Sequence, residues 1–132
     1  MQSIRLETSR RGELIDITGE LKRLVASANF EDGLALVYCP HTTAGLTINE
    51  GADPAVQADL LAWLDSLAPW ENNYRHAEGN SAAHFKASLM GASATVVVEK
   101  GQLILGQWQR LFFCEFDGPR TRTLMVKLMA GH

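Results

Sequence analysis

The sequence predicts an α+β fold that is mostly an antiparallel β-sheet or sandwich with two to three helices. Three patterns indicate this class: segments in which apolar and polar residues alternate, segments with apolar residues at helical spacing, and turn-forming residues between them. The segment after residue 93 is especially rich in strand patterns. With 132 residues, of which 46% are hydrophobic and 20% charged, the composition is that of one globular domain over residues 1–132.

Charge and hydropathy exclude several classes of protein. The formal net charge is −3, so the chain lacks the basic excess of a broad nucleic-acid-binding surface. The apolar runs are too short to span a bilayer, and no hydrophobic signal segment follows Met1. We therefore expect a cytoplasmic protein with no nucleic-acid or membrane partner, in which Cys39 and Cys114 are buried thiols.

The N-terminal segment predicts a β-hairpin followed by a helix. Residues 2–8 alternate in the strand period, residues 10–12 resemble a turn, and residues 14–18 form a second strand pattern. From Gly19 the apolar residues fall at helical spacing, and Thr18 or Gly19 is a candidate cap.

The central segment predicts a buried strand and a well-marked helix. Residues 34–38 are apolar at every position, which indicates a strand covered on both faces. Asp53 is a good N-cap and Pro54 suits the first helical position. The predicted apolar stripe of this helix comprises Val56, Leu60, Trp63, Leu64 and Leu67.

The remaining chain predicts a polar loop, a short helix and a strand-rich end. The helix should begin near Asn80 or Ser81, run to Met90 and stop at Gly91. Strands are predicted at residues 94–99, 102–105, 111–116 and 121–129. Several strands are apolar on both sides while helices to cover them are few, so a homo-oligomer or a closed sandwich is expected.

Three histidines in turn-like segments are the candidates for chemistry. His41 lies in a polar corner between two apolar runs, while His76 and His84 lie in or beside a later loop. Three imidazoles with one open position form a standard catalytic zinc site, but this spacing matches no short metal motif. The alternative is that each histidine bonds separately to nearby backbone.

Polar residues around these histidines have both functional and ordinary explanations. Glu78 could be a general acid or base, or a solvated loop carboxylate. Thr42, Thr43, Asn80 and Lys86 could hold a phosphate or sulfate at the start of the third helix, or serve as corner, cap and surface residues. Further candidates for anion contacts, with the same ordinary alternatives, are Asn49, Glu50, Arg120 and Arg122.

Three motifs in order resemble the YjbQ-like family. They are residues 41–54 (HTTAGLTINEGADP), residues 74–89 (YRHAEGNSAAHFKASL) and residues 106–120, which contain GQWQ and FCEFDGPR. The resemblance implies an α+β fold with a large antiparallel sheet, a trimeric assembly and a histidine-rich site. Matched by position, the three site histidines of the family fall on His41, His76 and His84.

The usual label of that family, secondary thiamine-phosphate synthase, leads to two hypotheses. In the first, His41, His76 and His84 bind a divalent metal, most readily zinc, and the protein joins a pyrimidine pyrophosphate to a thiazole phosphate, with Glu78 as acid or base. In the second, a homotrimer binds a metal or a phosphorylated metabolite without turnover. The absence of a Gly-rich phosphate loop from the sequence weighs against the first.

Overall fold

The computed structural model describes residues 1–131, which form eight strands and three helices. The strands are β1 (Gln2–Glu7), β2 (Glu13–Asp16), β3 (Gly33–Tyr38), β4 (Ala44–Glu50), β5 (Ser93–Glu99), β6 (Gln102–Ile104), β7 (Gln109–Glu115) and β8 (Thr121–Ala130). The helices are α1 (Thr18–Ser27), α2 (Pro54–Leu67) and α3 (Ser81–Met90). Among these helices, none is both long and apolar enough to cross a membrane. His132 lies outside the described residues.

Two antiparallel sheets confirm the predicted fold class. One has five strands in the order β1-β8-β3-β5-β6, and the other has three in the order β2-β7-β4. Each neighbouring pair is antiparallel. The alternation read from the sequence is visible in β8, where Arg122, Leu124 and Val126 are buried and Thr121, Thr123 and Lys127 are exposed.

The predicted N-terminal hairpin is wrong. β1 pairs with β8, so that Glu7 lies opposite Thr121, whereas β2 pairs with β7, so that Glu13 lies opposite Glu115. Residues 8–12 therefore carry the chain from one sheet to the other. Alternation identifies a strand but not its partner, because pairing depends on residues about a hundred positions away in the sequence.

The main core lies between the two sheets and includes one face of α1. Its buried members come from both sheets, for example Val37 and Val126 from the large sheet and Leu46 and Phe113 from the small one. Leu21 and Val25 of α1 are buried in the same cluster. The core thus fixes the two sheets relative to each other, and with them the loops at their ends.

Helices α2 and α3 cover the other face of the small sheet. Asp53 caps α2 as predicted, because its Oδ1 accepts a hydrogen bond of 3.0 Å from the Ala55 amide. The predicted apolar stripe is only partly buried, since Leu64 is enclosed while Trp63 and Leu67 are about half exposed. A second cluster joins Leu64 to α3 and β7.

Gly45 lets the end of α3 approach β4 closely. A Cβ atom at this position would lie 2.8 Å from the carbonyl oxygen of Gly91 and 3.0 Å from Cβ of Met90. The Leu46 amide donates to the same Gly91 carbonyl at 3.1 Å. This contact sets the position of α3, which carries His84, against the sheet.

Within one chain the outer face of the large sheet is uncovered, so the chain's own helices do not provide the second cover predicted for residues 34–38. Met129, Leu34, Val97 and Ile104 lie opposite one another across β8, β3, β5 and β6, and all four are exposed. We call these four residues the apolar row. In this chain α1 packs in the main core, and α2 and α3 pack on the small sheet. Strand β3 is therefore buried only on its inner face.

Candidate functional site

The three candidate histidines line one cleft of about 390 Å³. His41 comes from the connection between β3 and β4, His76 from the loop before α3, and His84 from the first turn of α3. The turn between β7 and β8 and the start of β8 close the cleft. The other residues that line it are Pro40, Thr42, Thr43, Glu78, Asn80, Arg120 and Arg122.

His76 and His84 face each other across this cleft. Their ring centroids are 5.2 Å apart, and the ring planes stand edge to face at 84°. Two imidazoles that bind one tetrahedral zinc at about 2.0–2.1 Å have centroids about 5 Å apart, so this spacing suits a shared metal ion. An edge-to-face contact of two aromatic rings also has this geometry.

His41 is oriented by the backbone of β8. Its Nε2 lies 3.1 Å from both the carbonyl oxygen and the amide nitrogen of Thr123. When Nε2 carries the proton, it donates to the Thr123 carbonyl and leaves Nδ1 as the basic nitrogen. A hydrogen bond from the non-ligating nitrogen to a carbonyl is the usual support of a metal-binding histidine.

The three imidazoles do not converge on one point as they stand. Across residues 1–131, no group of three or more His, Cys, Asp or Glu side chains has the geometry to hold a metal ion. The pair His76 and His84 comes nearest to such a site. A three-histidine metal centre would therefore require the histidine side chains to move from these positions.

The arginine of a buried ion pair lines the cleft. Arg122 is 3% exposed, and its guanidinium donates to both carboxylate oxygens of the fully buried Glu115. The same guanidinium donates to Oγ1 of Thr43 at 2.9 Å, and the Thr8 hydroxyl donates to Glu115 at 2.8 Å. Arg122 is thus held rigidly beside the histidines.

The pKa of Glu115 follows from this environment. Burial acts to raise the pKa, but hydrogen bonds from Arg122, the Asp117 amide and Thr8 outweigh it, so the pKa is lowered from its ordinary value. The Glu115 carboxylate therefore stays ionised and balances the buried positive charge of the Arg122 guanidinium.

A second guanidinium is held at the opening of the cleft. Arg120 donates to the Asp117 carboxylate at 2.7 Å and to the Asp117 carbonyl at 2.7 Å. Asn80 donates from Nδ2 to the same carboxylate at 2.8 Å, which fixes the orientation of its amide. The Oδ1 atom of Asn80 is buried and accepts no hydrogen bond within the described residues.

The fixed charges of the cleft do not favour an anion by themselves. Arg120 and Arg122 are each paired with a carboxylate, and Glu78 adds a further one. With neutral imidazoles, carboxylates outnumber guanidiniums by one. A divalent cation held there would reverse that balance and favour an anion beside it.

Three of the candidate anion-binding residues lie elsewhere. The ammonium of Lys86 pairs with Asp65 and lines a separate cavity, because residues two apart on a helix point to opposite sides. Glu50 accepts from the Ala52 and Asp53 amides at 2.9 Å, and Asn49 accepts from the Glu50 amide. Both lie at the far end of β4 and shape the start of α2.

Both cysteines are buried free thiols, in agreement with the sequence prediction. Burial raises the pKa of Cys39 despite a hydrogen bond with the His41 backbone, and burial raises that of Cys114 further. A thiol whose pKa is raised is a poor nucleophile at neutral pH. Cys39 therefore contributes packing beneath the His41 corner rather than reactivity.

Sequence reasoning missed Glu115 and Asp117, which hold the two arginines. The sequence does contain a signal for Glu115. This residue alternates with Phe113 and Leu111 on the inward face of β7. In the same way, Arg122 alternates with Leu124 on the inward face of β8. Two opposite charges at inward strand positions indicate a buried pair. Asp117 carried no comparable signal, since an aspartate before Gly118-Pro119 is explained by the turn alone.

Comparison with known proteins shows strong similarity over the whole chain. The family model described as UPF0047 protein YjbQ-like matches residues 2–131. The chain is 53% identical to the UPF0047 protein YugU of Bacillus subtilis over 130 residues, which cover 98% of each protein. It is 48% identical to the UPF0047 protein MJ1081 of Methanocaldococcus jannaschii, over 94% of this chain and 90% of that one.

Solved structures agree with the fold described above. The structure of an uncharacterised protein from Clostridium acetobutylicum superposes with a TM-score of 0.95 at 50% identity, over 98% of this chain and 100% of that one. The hypothetical protein APE1520 of Aeropyrum pernix superposes with a TM-score of 0.93 at 33% identity, over 98% of each chain. The names of these relatives state no activity.

Proposed function

The chain belongs to the YjbQ-like UPF0047 family, and from this premise we propose that its histidine cleft binds one divalent metal ion, zinc, together with a small phosphorylated ligand. The observation that carries the proposal is the meeting of three histidines and two anchored arginines in one cleft. Imidazole nitrogens are preferred zinc ligands, and guanidiniums are preferred partners of phosphate oxygens. The cytoplasm is the proposed location, since both cysteines are free thiols.

The residues divide into two groups in this proposal. His41, His76 and His84 hold the metal ion, with the Thr123 backbone orienting His41. Arg120 and the Thr42 hydroxyl bind phosphate oxygens at the open side of the cleft, and Arg122 and Thr43 do so at its buried side. Asp117 and Glu115 keep the two guanidiniums in place.

The reaction we propose joins a pyrimidine pyrophosphate to a thiazole phosphate. The thiazole nitrogen forms a bond to the methylene carbon of the pyrimidine as the bond from that carbon to the pyrophosphate oxygen breaks, and the pyrophosphate leaves with the electron pair. When bound, zinc supplies a Lewis acid for the charge of the leaving group. Arg120 and Arg122 stabilise the same charge from the protein side.

Glu78 has an electrostatic role in this scheme. Forming the carbon–nitrogen bond leaves a positive charge on the thiazole ring and transfers no proton, so an acid or base is not required. The Glu78 carboxylate lines the cleft and would stabilise the ring as it becomes positive. This role replaces the acid or base function considered from the sequence.

Turnover is the direct test of this reaction. With zinc present, we expect formation of thiamine phosphate and pyrophosphate above a no-protein control, and a rate at least about tenfold lower for Glu78→Gln with substrate binding retained. Glu71→Gln changes a loop carboxylate outside the cleft and should leave the rate unaltered. Mass spectrometry of the product measures the rate.

The contrary outcome points to the second hypothesis. No product above the control with zinc, manganese or magnesium would refute the synthase reaction. Saturable binding of a phosphorylated ligand that Glu78→Gln leaves unaltered would then favour a binding protein without turnover. The openness of the cleft to solvent is the feature that favours this alternative, because exclusion of water usually assists group transfer.

The assembly that we propose is a homotrimer in which the apolar row is covered. Four aligned apolar side chains on an open sheet face are typical of a subunit interface. We expect light scattering to give a mass near three times 14.5 kDa, and Val97→Asp to reduce it because a charge would be buried in the interface. Ala26→Asp, on the exposed side of α1, is the control. A monomeric mass for the unmodified protein would refute the trimer.

A further inference from the structure

A second cavity lies on the other side of α3 from the histidine cleft. It has a volume of about 410 Å³ and is bounded by the C-terminal half of α2, the loop that follows α2, the turn before β2 and the end of β7. Lys86 lines it, whereas His84, two residues earlier on the helix, lines the histidine cleft. The two sites share no lining residue.

Lys86 is a buried cation with spare hydrogen-bonding capacity. The residue is only 7% exposed, and within the described chain its ammonium donates to Asp65 alone. An ammonium has three donors, and the Asp65 side chain is 73% exposed, so solvent screens the one attraction that compensates the buried charge. Burial of a charge is unfavourable unless acceptors surround it, so a further anionic partner would stabilise this ammonium.

Arg11 adds a second cation at the rim. Its guanidinium lies over the Trp70 ring at 4.1 Å from the centroid. Among the described residues, the guanidinium donates no hydrogen bond, so its edge is available to an anion. Lys86 and Arg11 together outnumber the single carboxylate of Asp65, which makes this cavity positive in a chain of net charge −3.

The remaining wall of the cavity is apolar. Leu61, Leu64 and Phe116 line its floor, and Trp70 flanks it. Flat apolar surfaces next to a fixed positive charge are suited to a planar ring that bears one anionic group. A free inorganic anion would leave that floor unused.

We propose that this cavity is a separate binding site for a small aromatic anion, whose ring packs on the Leu61, Phe116 and Trp70 wall and whose carboxylate or phosphate lies between Lys86 and Arg11. The site does not depend on the function proposed for the histidine cleft. It also gives a role to Lys86, which the sequence analysis had placed beside the histidines.

Titration with two probes tests the site. Phenyl phosphate and benzoate are added to protein treated with EDTA, and binding is followed by calorimetry and tryptophan fluorescence, with benzyl alcohol as the uncharged control. We expect saturable binding of at least one anion, weaker binding of benzyl alcohol, and loss of the fluorescence change in Trp70→Phe. The tighter of the two anions identifies the group that the site prefers.

Two variants should change the affinity in opposite directions. Lys86→Met keeps most of the unbranched side chain and removes its charge, and it should weaken anion binding at least about tenfold. Asp65→Asn removes the competing carboxylate, and it should strengthen binding about threefold or more. Lys22→Met removes an exposed lysine of α1 and should have no effect.

The opposite directions of the two expected affinity changes distinguish a binding role of this ion pair from a purely structural one. If the ion pair only fastens α2 to α3, both variants lower stability and neither alters probe affinity, which would overturn the proposal. Absence of saturable binding to the unmodified protein would overturn it as well. Should Lys86→Met fail to fold, Asp65→Asn carries the test alone, because the Asp65 side chain is largely in solvent.

Discussion

Replacing Glu115 with glutamine is expected to lower the free energy of unfolding by about 3–5 kcal/mol. Glutamine has the shape of glutamate but no charge, so the guanidinium of Arg122, which is 3% exposed, would remain buried without a counter-ion. The hydrogen bonds that Thr8 and the Asp117 amide donate to the carboxylate would also weaken. Urea unfolding followed by circular dichroism measures the change.

Two further variants distinguish the effect of the lost charge on stability from the effect of altered packing. Glu99→Gln changes an exposed glutamate at the end of β5 and should alter the stability by less than about 0.5 kcal/mol. The double variant Glu115→Met with Arg122→Met should be more stable than the sum of the single changes predicts, because no charge is left buried. A loss below about 1 kcal/mol for Glu115→Gln would show that Arg122 reaches solvent.

The ion pair of Glu115 and Arg122 should make the free energy of unfolding depend on pH in a defined direction. The pKa of Glu115 is lowered in the folded protein, so its contribution to stability is complete above the ordinary pKa of an unfolded glutamate. That contribution is lost as the pH falls through the lowered pKa of the folded state. The difference in stability between the unmodified protein and Glu115→Gln should therefore shrink in acid.

Replacing His84 with alanine should remove the metal ion and with it any turnover. Purified, untagged protein is expected to contain about one zinc per chain, and loss of an imidazole ligand should weaken metal binding at least about a hundredfold. His84 is placed for this role by the first turn of α3, where its ring faces His76 at 5.2 Å between centroids. Elemental analysis by mass spectrometry measures the metal.

A variant on the same helix controls for damage to α3. Leu89→Ala changes an exposed side chain of α3 that does not line the cleft and should keep the full metal content. Equal zinc in the unmodified protein and His84→Ala would remove His84 from the metal site. No metal in any of them, even after reconstitution, would remove metal-assisted catalysis and point to an anion-binding or purely structural role of the cleft.

The sequence alone determined the features that depend on residues close together in the chain. Strand patterns in the sequence located seven of the eight strands to within a few residues, and Asp53 with Pro54 marked the start of α2 because capping is a local hydrogen bond. The polarity of residues 39–43 and 74–86 also identified the segments that carry His41, His76 and His84. The family motifs supplied the same three residues independently.

The tertiary structure alone decided what depends on residues far apart in the chain. It paired β1 with β8 rather than with β2, and it joined Glu115 to Arg122 and Asp117 to Asn80. It also turned Lys86 away from the histidines into a cavity of its own, although the two lie on one short helix. Local spacing specifies which face of a strand or helix a side chain occupies, but the neighbour across that face is selected by packing of the whole core. For this reason the sequence indicated the three histidines of the cleft but neither the carboxylates that hold its arginines nor the separate location of Lys86.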